Sequence, residues 1–213
     1  MPQPASPLEW VVIAPVKRLD RAKTRLSTRP AGERRDLALA FAVDSIRAAR
    51  ACEPVGRVVV VSDDQEVRQA AESLGAEWLP DLVDAHLNEV IASVADGLRA
   101  ADPDLALAAL VADLPALRPD ELRRALQSAS DVPRGFVADA AGTGTTLLTA
   151  RPGVDLDPRF GVRSRAAHAA SGAVALEPGP VPGLRRDVDT EVDLWDAGRL
   201  GVGPATAALV QGG

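Results

Sequence analysis

Short apolar runs alternate with helical segments over residues 10–129, and this alternation constrains the fold more than any other feature of the chain. The runs that begin at Trp10, Arg57 and Leu105 have the length of buried strands, and each ends at polar residues. The predicted helices cover residues 33–51, 65–74 and 87–98 and a segment from Pro119, and a short strand is predicted over 76–79. Because each parallel connection needs a crossover helix, the sequence predicts a mostly parallel sheet with helices on both faces.

The pattern changes after Ser130. Two strand-like runs, residues 135–138 and 145–150, are joined by a glycine-containing turn that is too short for a crossover helix. We therefore expect an antiparallel pair within the sheet. Further helices are predicted over 163–171 and 190–199, with a strand over 173–176 between them.

Composition favours one α/β domain over residues 1–213, with residues 1–8 and 208–213 expected to be flexible. Hydrophobic residues make up 46% and charged residues 25% of the chain, which is ordinary for a globular protein with a sizeable core. No segment in the middle has the composition of a linker. Leu39, Val43 and Ile46 lie on one stripe of the first long helix at helical spacing.

Several function classes are disfavoured by composition. Aromatic residues make up 3% of the chain and the sequence pI is about 5.0, so we expect no nucleic-acid partner. No apolar run is long enough to span a membrane, and the start MPQPASP does not resemble a secretory signal, so we expect no membrane association and a cytoplasmic location. The single cysteine, Cys52, excludes an internal disulfide and is interpreted as a small buried hydrophobe.

The first strand leads directly into a strongly basic loop. Five cations lie within nine residues of a chain whose formal net charge is -6, namely Lys17, Arg18, Arg21, Lys23 and Arg25. Such a cluster can be an ordinary solvated face. However, ligands of open α/β sheets bind beyond the carboxyl ends of the strands, so this position favours an anion site.

Two acidic segments are candidates for metal binding. Asp113 ends an apolar run in the phrase VADLPAL, where a carboxylate would face the ligand crevice, or would only stabilise a turn. Asp187 and Asp189 alternate just before a predicted helix, for which Thr190 is the N-cap and Asp193 completes a capping box. Simple helix-end electrostatics is the alternative interpretation of this second segment, and which of its two aspartates would be the main ligand stays open.

Two glycine-containing segments are candidates for binding an anion. In ADAAGTGTTLL, residues 138–148, the glycines Gly142 and Gly144 allow close backbone approach, and Thr143, Thr145 and Thr146 offer hydroxyls and amides, although a plain hairpin turn is the alternative. In PRFGVRSRAAHAA, residues 158–170, Gly161 precedes Ser164 at a predicted helix start, with Arg159, Arg163 and Arg165 nearby. His168 and His86 are interpreted as packing or surface residues.

Together these phrases resemble a known family. VVIAPVKRLDRAKTRLS, VVSDD, HLNEVI, LVADLPALRPDEL, FVADAAGTGTTLL, PRFGVRS and GLRRDVDTEVDL are similar to the phosphoenolpyruvate or 2-phospho-L-lactate guanylyltransferases of coenzyme F-420 biosynthesis. The resemblance extends from Trp10 to Thr206. It implies a nucleotidyltransferase fold of the glycosyltransferase-A kind and a Mg²⁺-dependent reaction. In that reaction the phosphate of the three-carbon acid attacks the α-phosphorus of GTP, and pyrophosphate leaves.

The resemblance also implies residue roles. The metal carboxylates would be Asp113 and Asp189, and the acceptor would lie at Thr145, Gly161 and Ser164. Lys17, Lys23 and Arg25 would be catalytic and would bind the triphosphate, with Asn88 also in contact with the nucleotide. A phosphate monoester is already an anionic nucleophile, so no serine, cysteine or histidine base is required. The chain departs from the family pattern in DTEVDL, where a proline is expected after the threonine.

The expected reaction is GMP transfer from GTP to phosphoenolpyruvate. One alternative is the same reaction on 2-phospho-L-lactate. Others are a related transferase acting on a pterin or sugar phosphate, a sugar-nucleotide glycosyltransferase with Asp187 and Asp189 in its metal motif, and a nucleotide-sensing module without turnover. The opening phrase APVKRLDRAKTRL lacks the glycines of the pterin and sugar-phosphate relatives. The next enzyme of the pathway is a further candidate partner.

Overall fold

In the part of the chain that the structure describes, seven strands form one mixed sheet. The structure is a computed structural model that describes residues 8–210 except 22, 24, 27 and 82–85, so residues 1–7 and 211–213 of the termini expected to be flexible lie outside the described residues. The strands are β1 (Trp10–Pro15), β2 (Val55–Val61), β3 (Glu77–Leu79), β4 (Ala106–Leu110), β5 (Arg134–Ala138), β6 (Thr145–Ala150) and β7 (Val174–Ala175). Their order across the sheet is β3-β2-β1-β4-β6-β5-β7.

Helices cover both faces of this sheet, as predicted. They are α1 (Ala31–Arg50), α2 (Gln65–Ser73), α3 (Leu87–Ala101), α4 (Pro119–Ala129), α5 (Ser164–Ala170), α6 (Pro182–Arg185), α7 (Glu191–Leu200) and α8 (Pro204–Val210). Val12 and Val60 pack with α1, α2 and α4, whereas Ile13 and Val59 pack with α3 on the opposite face. Alternate residues of the central strands therefore enter different halves of the core, which explains their almost uninterrupted apolar sequence.

Strand direction follows the prediction. The pairs β1·β2, β1·β4 and β2·β3 are parallel, whereas β6 is antiparallel to both β4 and β5. In the sheet, β2 lies on one side of β1 and β4 lies on the other. The connection through α1 leads from β1 to β2, whereas the connection through α3 leads to β4, so the two connections diverge between the carboxyl ends of β1 and β4. Open α/β sheets bind ligands at such a point.

The stripe of Leu39, Val43 and Ile46 is only part of the surface that α1 buries. Ile46 is 1% exposed, but Leu39 and Val43 are only half-buried. The helix is buried on two sides, because Ala38 and Ala42 pack toward the sheet while Leu37 and Phe41 pack with Leu26, Val188 and Leu194. A single-stripe pattern could not represent this arrangement.

Two smaller expectations can be compared with the structure. Cys52 is 2% exposed, and its burial raises the pKa of the thiol to about 12, as expected for a packing residue. Among the described residues, no helix combines the length and the apolar character needed to cross a bilayer.

Candidate active site

A cleft of about 420 Å³ lies at the carboxyl ends of β1 and β4. Its walls include Pro15 and Val16 from the end of β1 and Val111 and Ala112 from the end of β4. Charged residues predicted from the sequence also line the cleft. They are three cations of the basic loop and one aspartate from each acidic segment, namely Lys17, Lys23, Arg25, Asp113 and Asp189. The basic loop after β1 therefore faces the acidic segments, although they are far apart in the sequence.

Lys23 joins the two acidic segments. Its Nζ lies 2.5 Å from Asp113 Oδ2 and 3.1 Å from Asp189 Oδ1, and its side chain is only 8% exposed. Burial lowers the pKa of the Lys23 ammonium, but the adjacent Asp113 and Asp189 outweigh burial, so the pKa is raised overall. Lys23 has a left-handed backbone with φ of 52°, a conformation that side chains adopt at some cost.

The other cations of the basic loop differ in their contacts. Arg25 Nη1 lies 3.5 Å from Asp189 Oδ2, and its side chain is 75% exposed, so it stays accessible to a ligand. Lys17 lines the cleft and is exposed. Arg18 points elsewhere and pairs with Asp20 and Asp63. The side chain of Arg21 lies outside the described residues.

Asp113 is fixed by backbone contacts on both sides. Its carbonyl accepts a hydrogen bond from the Val188 amide at 3.1 Å, which brings the second acidic segment alongside. The next amide, of Leu114, donates to Ser45 Oγ at 3.0 Å, and Ser45 in turn donates to the Phe41 carbonyl of α1. A buried helix therefore sets the position of the aspartate, a role for Ser45 that the sequence did not indicate.

The second acidic segment has the predicted capping box. Thr190 is the N-cap of α7, its Oγ1 accepts from the Asp193 amide at 3.3 Å, and Asp193 Oδ2 accepts from the Thr190 amide at 2.9 Å. Asp189 is thus held next to a rigid helix start. Burial and then the nearby Asp113 raise the pKa of Asp187 to about 7.

The donor set fits a hard divalent cation. Asp113 Oδ1 is buried and has no hydrogen-bond partner among the described residues, so it is available for a cation. No group of three or more His, Cys, Asp or Glu ligands converges in the described part of the chain. In nucleotide enzymes, Mg²⁺ is commonly bound by one or two carboxylates, and water and substrate phosphates fill its other coordination positions.

The turn between β5 and β6 corrects one expectation. The amides of Thr143 and Gly144 do not point to a ligand, because both donate to the Asp139 carboxylate at 2.8 Å. Glycine is needed at Gly144, since a Cβ there would lie 2.5 Å from Asp139 Oδ2. The hairpin-turn alternative therefore holds for these two amides, and Asp139 is a turn-forming residue that the sequence analysis missed.

His168 links the two segments in which the acceptor residues were predicted. Thr145 Oγ1 lies 2.9 Å from His168 Nδ1, and the Arg159 amide donates to His168 Nε2 at 2.9 Å. The imidazole is 0% exposed and contacts the Phe160 ring edge-on at a centroid distance of 5.1 Å. The interpretation of His168 as a packing residue omitted these hydrogen bonds, which connect β6, α5 and the loop before α5.

Asn88 also holds this loop. Its side-chain amide donates to the Phe160 carbonyl at 3.0 Å and its Oδ1 accepts from the Phe160 amide at 2.7 Å. Asn88 thus contacts protein backbone, while the preceding Leu87 lines the cleft. Its nucleotide contact stays a prediction.

The remaining acceptor residues flank the anchored loop. Gly161 is exposed with φ of 131°, a conformation that favours glycine, and Ser164 is 2% exposed at the start of α5. The nearby arginines have internal partners, because Arg165 donates to the Gly142 carbonyl and Arg159 pairs with Asp157. Thr145, Gly161 and Ser164 are not among the residues that line the cleft. The Ser164 amide donates to the Gly161 carbonyl, and Thr145 precedes Thr146, whose carbonyl accepts from the Val111 amide at the cleft wall.

Comparison with protein families gives a match over residues 10–171 to the model described as guanylyl transferase, CofC like. The chain belongs to the CofC-like guanylyltransferase family. Within this family, the chain is 52% identical over 203 residues to the phosphoenolpyruvate guanylyltransferase of Streptomyces coelicolor, covering 95% of this chain and 96% of that protein. It is 50% identical to the enzyme of the same name from Thermomonospora curvata, covering 95% and 89% of the two chains.

Solved structures support the fold of this CofC-like guanylyltransferase. A putative nucleotide-diphospho-sugar transferase from Desulfovibrio desulfuricans matches with a TM-score of 0.68 at 13% identity, covering 96% of this chain and 94% of that one. A nucleotidyl transferase from Methanothermobacter thermautotroptrophicus matches with a TM-score of 0.58 at 19% identity, covering 91% and 97%. The predicted α/β nucleotidyltransferase architecture is confirmed.

Proposed function

We propose that this chain transfers GMP from GTP to phosphoenolpyruvate, which gives enolpyruvyl-diphospho-guanosine and pyrophosphate. The observation that carries the proposal is the convergence of Lys23 with Asp113 and Asp189 in one cleft. The acceptor is supported by the names of relatives that are about 50% identical over nearly the whole chain. An acceptor oxygen would bond to the α-phosphorus of GTP as the bond from that phosphorus to the β-phosphate bridge breaks.

The cations of the basic loop suit the triphosphate. The reaction brings two polyanions together. Protein groups can lower its activation barrier by reducing the charge repulsion between the two substrates and by fixing their relative orientation. Lys17 and Arg25 are exposed at the cleft wall, where they can bind phosphate oxygens directly. Lys23 is more deeply placed and would orient the phosphates nearest to the carboxylates.

Asp113 and Asp189 would hold Mg²⁺. When bound, the metal would supply neutralisation of charge on the triphosphate and on the departing pyrophosphate. The chain's own contribution is to hold the two carboxylates in place, through the Val188 and Leu114 backbone contacts at Asp113 and the α7 capping box at Asp189.

Thr145, Gly161 and Ser164 would receive the acceptor. The Gly161 backbone is exposed and a Cβ there would meet open space, so the loop leaves room beside it. Thr145 and Ser164 supply hydroxyl groups to anionic oxygens. We further propose that the product enters coenzyme F-420 biosynthesis in the cytoplasm, where GTP is available, and that the next pathway enzyme receives it.

The reaction is tested by incubating the purified chain with GTP, Mg²⁺ and phosphoenolpyruvate and measuring pyrophosphate release and product mass. We expect pyrophosphate and a guanosine adduct in equal amounts, with less turnover when ATP or CTP replaces GTP. A phosphorus spectrum that shows GDP instead of pyrophosphate would indicate a glycosyltransferase. Binding of GTP without turnover with any phosphorylated three-carbon acid would indicate a sensing module.

2-Phospho-L-lactate is the second candidate acceptor. It carries the same phosphate and carboxylate groups but has a tetrahedral carbon where the enol is planar. Parallel assays at equal concentrations would compare kcat/KM for the two acids. We expect phosphoenolpyruvate to have the higher value, and the reverse order would assign the chain to the lactate reaction.

A further inference from the structure

We propose that His168 is a positioning residue that makes the Thr145 hydroxyl a hydrogen-bond donor toward an anionic oxygen of the acceptor. The inference rests on the proposed acceptor site at Thr145. It assigns a role to a histidine that touches neither the cleft nor the predicted metal ligands. Three groups share two hydrogen bonds here, namely the Arg159 amide, the His168 ring and the Thr145 hydroxyl.

The first step concerns His168 Nε2. This nitrogen lies 2.9 Å from the Arg159 backbone nitrogen, which can only donate. Nε2 must therefore present a lone pair, and a neutral imidazole then carries its single proton on Nδ1.

The second step concerns the Thr145 hydroxyl. Nδ1 lies 2.9 Å from Thr145 Oγ1, so Nδ1–H donates and Oγ1 accepts. The hydroxyl hydrogen cannot point at Nδ1 and has to find another acceptor. Thr145 Oγ1 makes no second side-chain hydrogen bond among the described residues, although the residue is only 6% exposed. An anionic ligand oxygen beside β6 would satisfy this donor.

The surroundings of the ring favour the neutral form. His168 is 0% exposed and lies between the rings of Phe136 and Phe160. Burial lowers the pKa of the imidazole to about 4, and the nearby Arg134 and Arg159 act in the same direction against the opposing Asp157. A protonated ring would place an N–H against the Arg159 amide, which the observed geometry does not accommodate.

The same ring also fixes the loop that carries Gly161. The Arg159 amide is bound by His168 and both backbone groups of Phe160 are bound by Asn88, so two successive residues before Gly161 are anchored. His168 therefore sets the direction of the Thr145 hydroxyl and the position of the loop facing it. Hydrogen bonds from neighbouring residues commonly hold a substrate-binding group in its orientation.

Nitrogen-15 NMR of the full chain tests the proton positions without any assumption about function. The chain has two histidines, so a His86→Gln variant leaves one imidazole to observe. We expect His168 to be in the Nδ1–H tautomer and not to titrate between pH 8 and about 5.5, since its pKa is lowered to about 4. A proton on Nε2, or titration of His168 above about pH 5.5, would overturn the proposal.

Kinetics then test the link to the acceptor. We expect Thr145→Val to raise the KM for phosphoenolpyruvate roughly tenfold to a hundredfold, the effect of losing a hydrogen bond to a charged group, with the KM for GTP nearly unchanged. Thr145→Ser keeps the hydroxyl and should restore acceptor binding. In His168→Gln, the new side chain can accept from the Arg159 amide but has no donor at the position of Nδ1. We therefore expect its KM for phosphoenolpyruvate to rise as it does in Thr145→Val. The KM of the double variant should be no higher than that of either single variant.

The two hypotheses fail in different ways. If the unmodified chain releases no pyrophosphate with any three-carbon acid, the proposed function is wrong, while the NMR result still decides the tautomer. If the chain is active but Thr145→Val changes the KM for GTP and leaves that for phosphoenolpyruvate unchanged, the role assigned to His168 is wrong. The comparison of Thr145→Val with Thr145→Ser decides this even if His168 variants do not fold.

Discussion

Lys23 Nζ lies 2.5 Å from Asp113 Oδ2, so a lysine of the loop after β1 forms an ion pair with an aspartate beyond the end of β4. The ammonium thus lies beside the carboxylates that we assign to Mg²⁺. In the absence of nucleotide, the lysine and a bound metal would compete for the same negative charge. This competition can be measured.

Replacement of Lys23 by methionine should increase the affinity of the nucleotide-free chain for Mg²⁺ while impairing turnover. Removal of one positive charge beside the two carboxylates is worth about 1.4 kcal/mol, which corresponds to roughly tenfold tighter Mg²⁺ binding. Titration calorimetry with MgCl₂ alone provides the measurement. Lys17→Met is the matched control because Lys17 has no ion pair with the aspartates in the described structure, and equal affinity of the two variants would contradict the competition.

Asp113→Asn should reduce kcat by at least about a hundredfold without unfolding the chain. The amide keeps the shape of the side chain but removes the negative charge, and metal stabilisation of the reaction is worth several kcal/mol. Asp104→Asn is the control, since Asp104 is exposed before β4 at the opposite end of the sheet from the cleft. Pyrophosphate release and circular dichroism give the two readouts, and near-normal activity of Asp113→Asn would refute the metal assignment.

Gly144→Ala should lower the free energy of unfolding by about 1–3 kcal/mol. The new methyl group would displace the Asp139 carboxylate from the amides of Thr143 and Gly144. Gly97→Ala is an informative contrast because Gly97 lies exposed in α3 with nothing near its Cβ position, so it should gain about 0.5–1 kcal/mol. Urea unfolding of both variants measures the difference, and equal effects would argue against the carboxylate contact.

Stability should fall in acid in part because of His168. Its folded-state pKa of about 4 lies below the unfolded value of about 6.5, so the unfolded chain binds more protons between these values. The stabilisation is present above pH 6.5 and is lost as the pH falls toward 4, by up to about 3 kcal/mol. His168→Asn should flatten this dependence relative to the unmodified chain in urea unfolding at pH 7 and pH 5, and a parallel decline of the two would contradict the shifted pKa.

Asn88→Ala should raise the KM for phosphoenolpyruvate more than the KM for GTP. The side chain binds both backbone groups of Phe160, next to Gly161, so its loss would loosen the acceptor loop. Initial-rate kinetics with each substrate varied separates the two effects. A selective rise in the KM for GTP would instead support the nucleotide contact that the family resemblance implies.

The sequence predicted those parts of the site that follow from local pattern. Asp113 could be found because an apolar run stops at a carboxylate, and the Thr190 capping box because its spacing is local. The role of His168 could not be found, since it depends on contacts with Thr145 and Arg159 that only the folded chain creates. The turn amides were misjudged for a similar reason, because Asp139 was not recognised as their acceptor.

Strand β6 is antiparallel to β4 and β5, so its first residue, Thr145, lies at the same end of the sheet as the last residues of β4. The loop that we propose binds the triphosphate follows β1, whereas the proposed acceptor residues Thr145, Gly161 and Ser164 all follow β5 in the chain. In this proposal the two substrates are bound by separate stretches of the sequence. Under this assignment, acceptor preference could change through substitutions within residues 145–164 while Lys17, Lys23, Arg25, Asp113 and Asp189 stay intact.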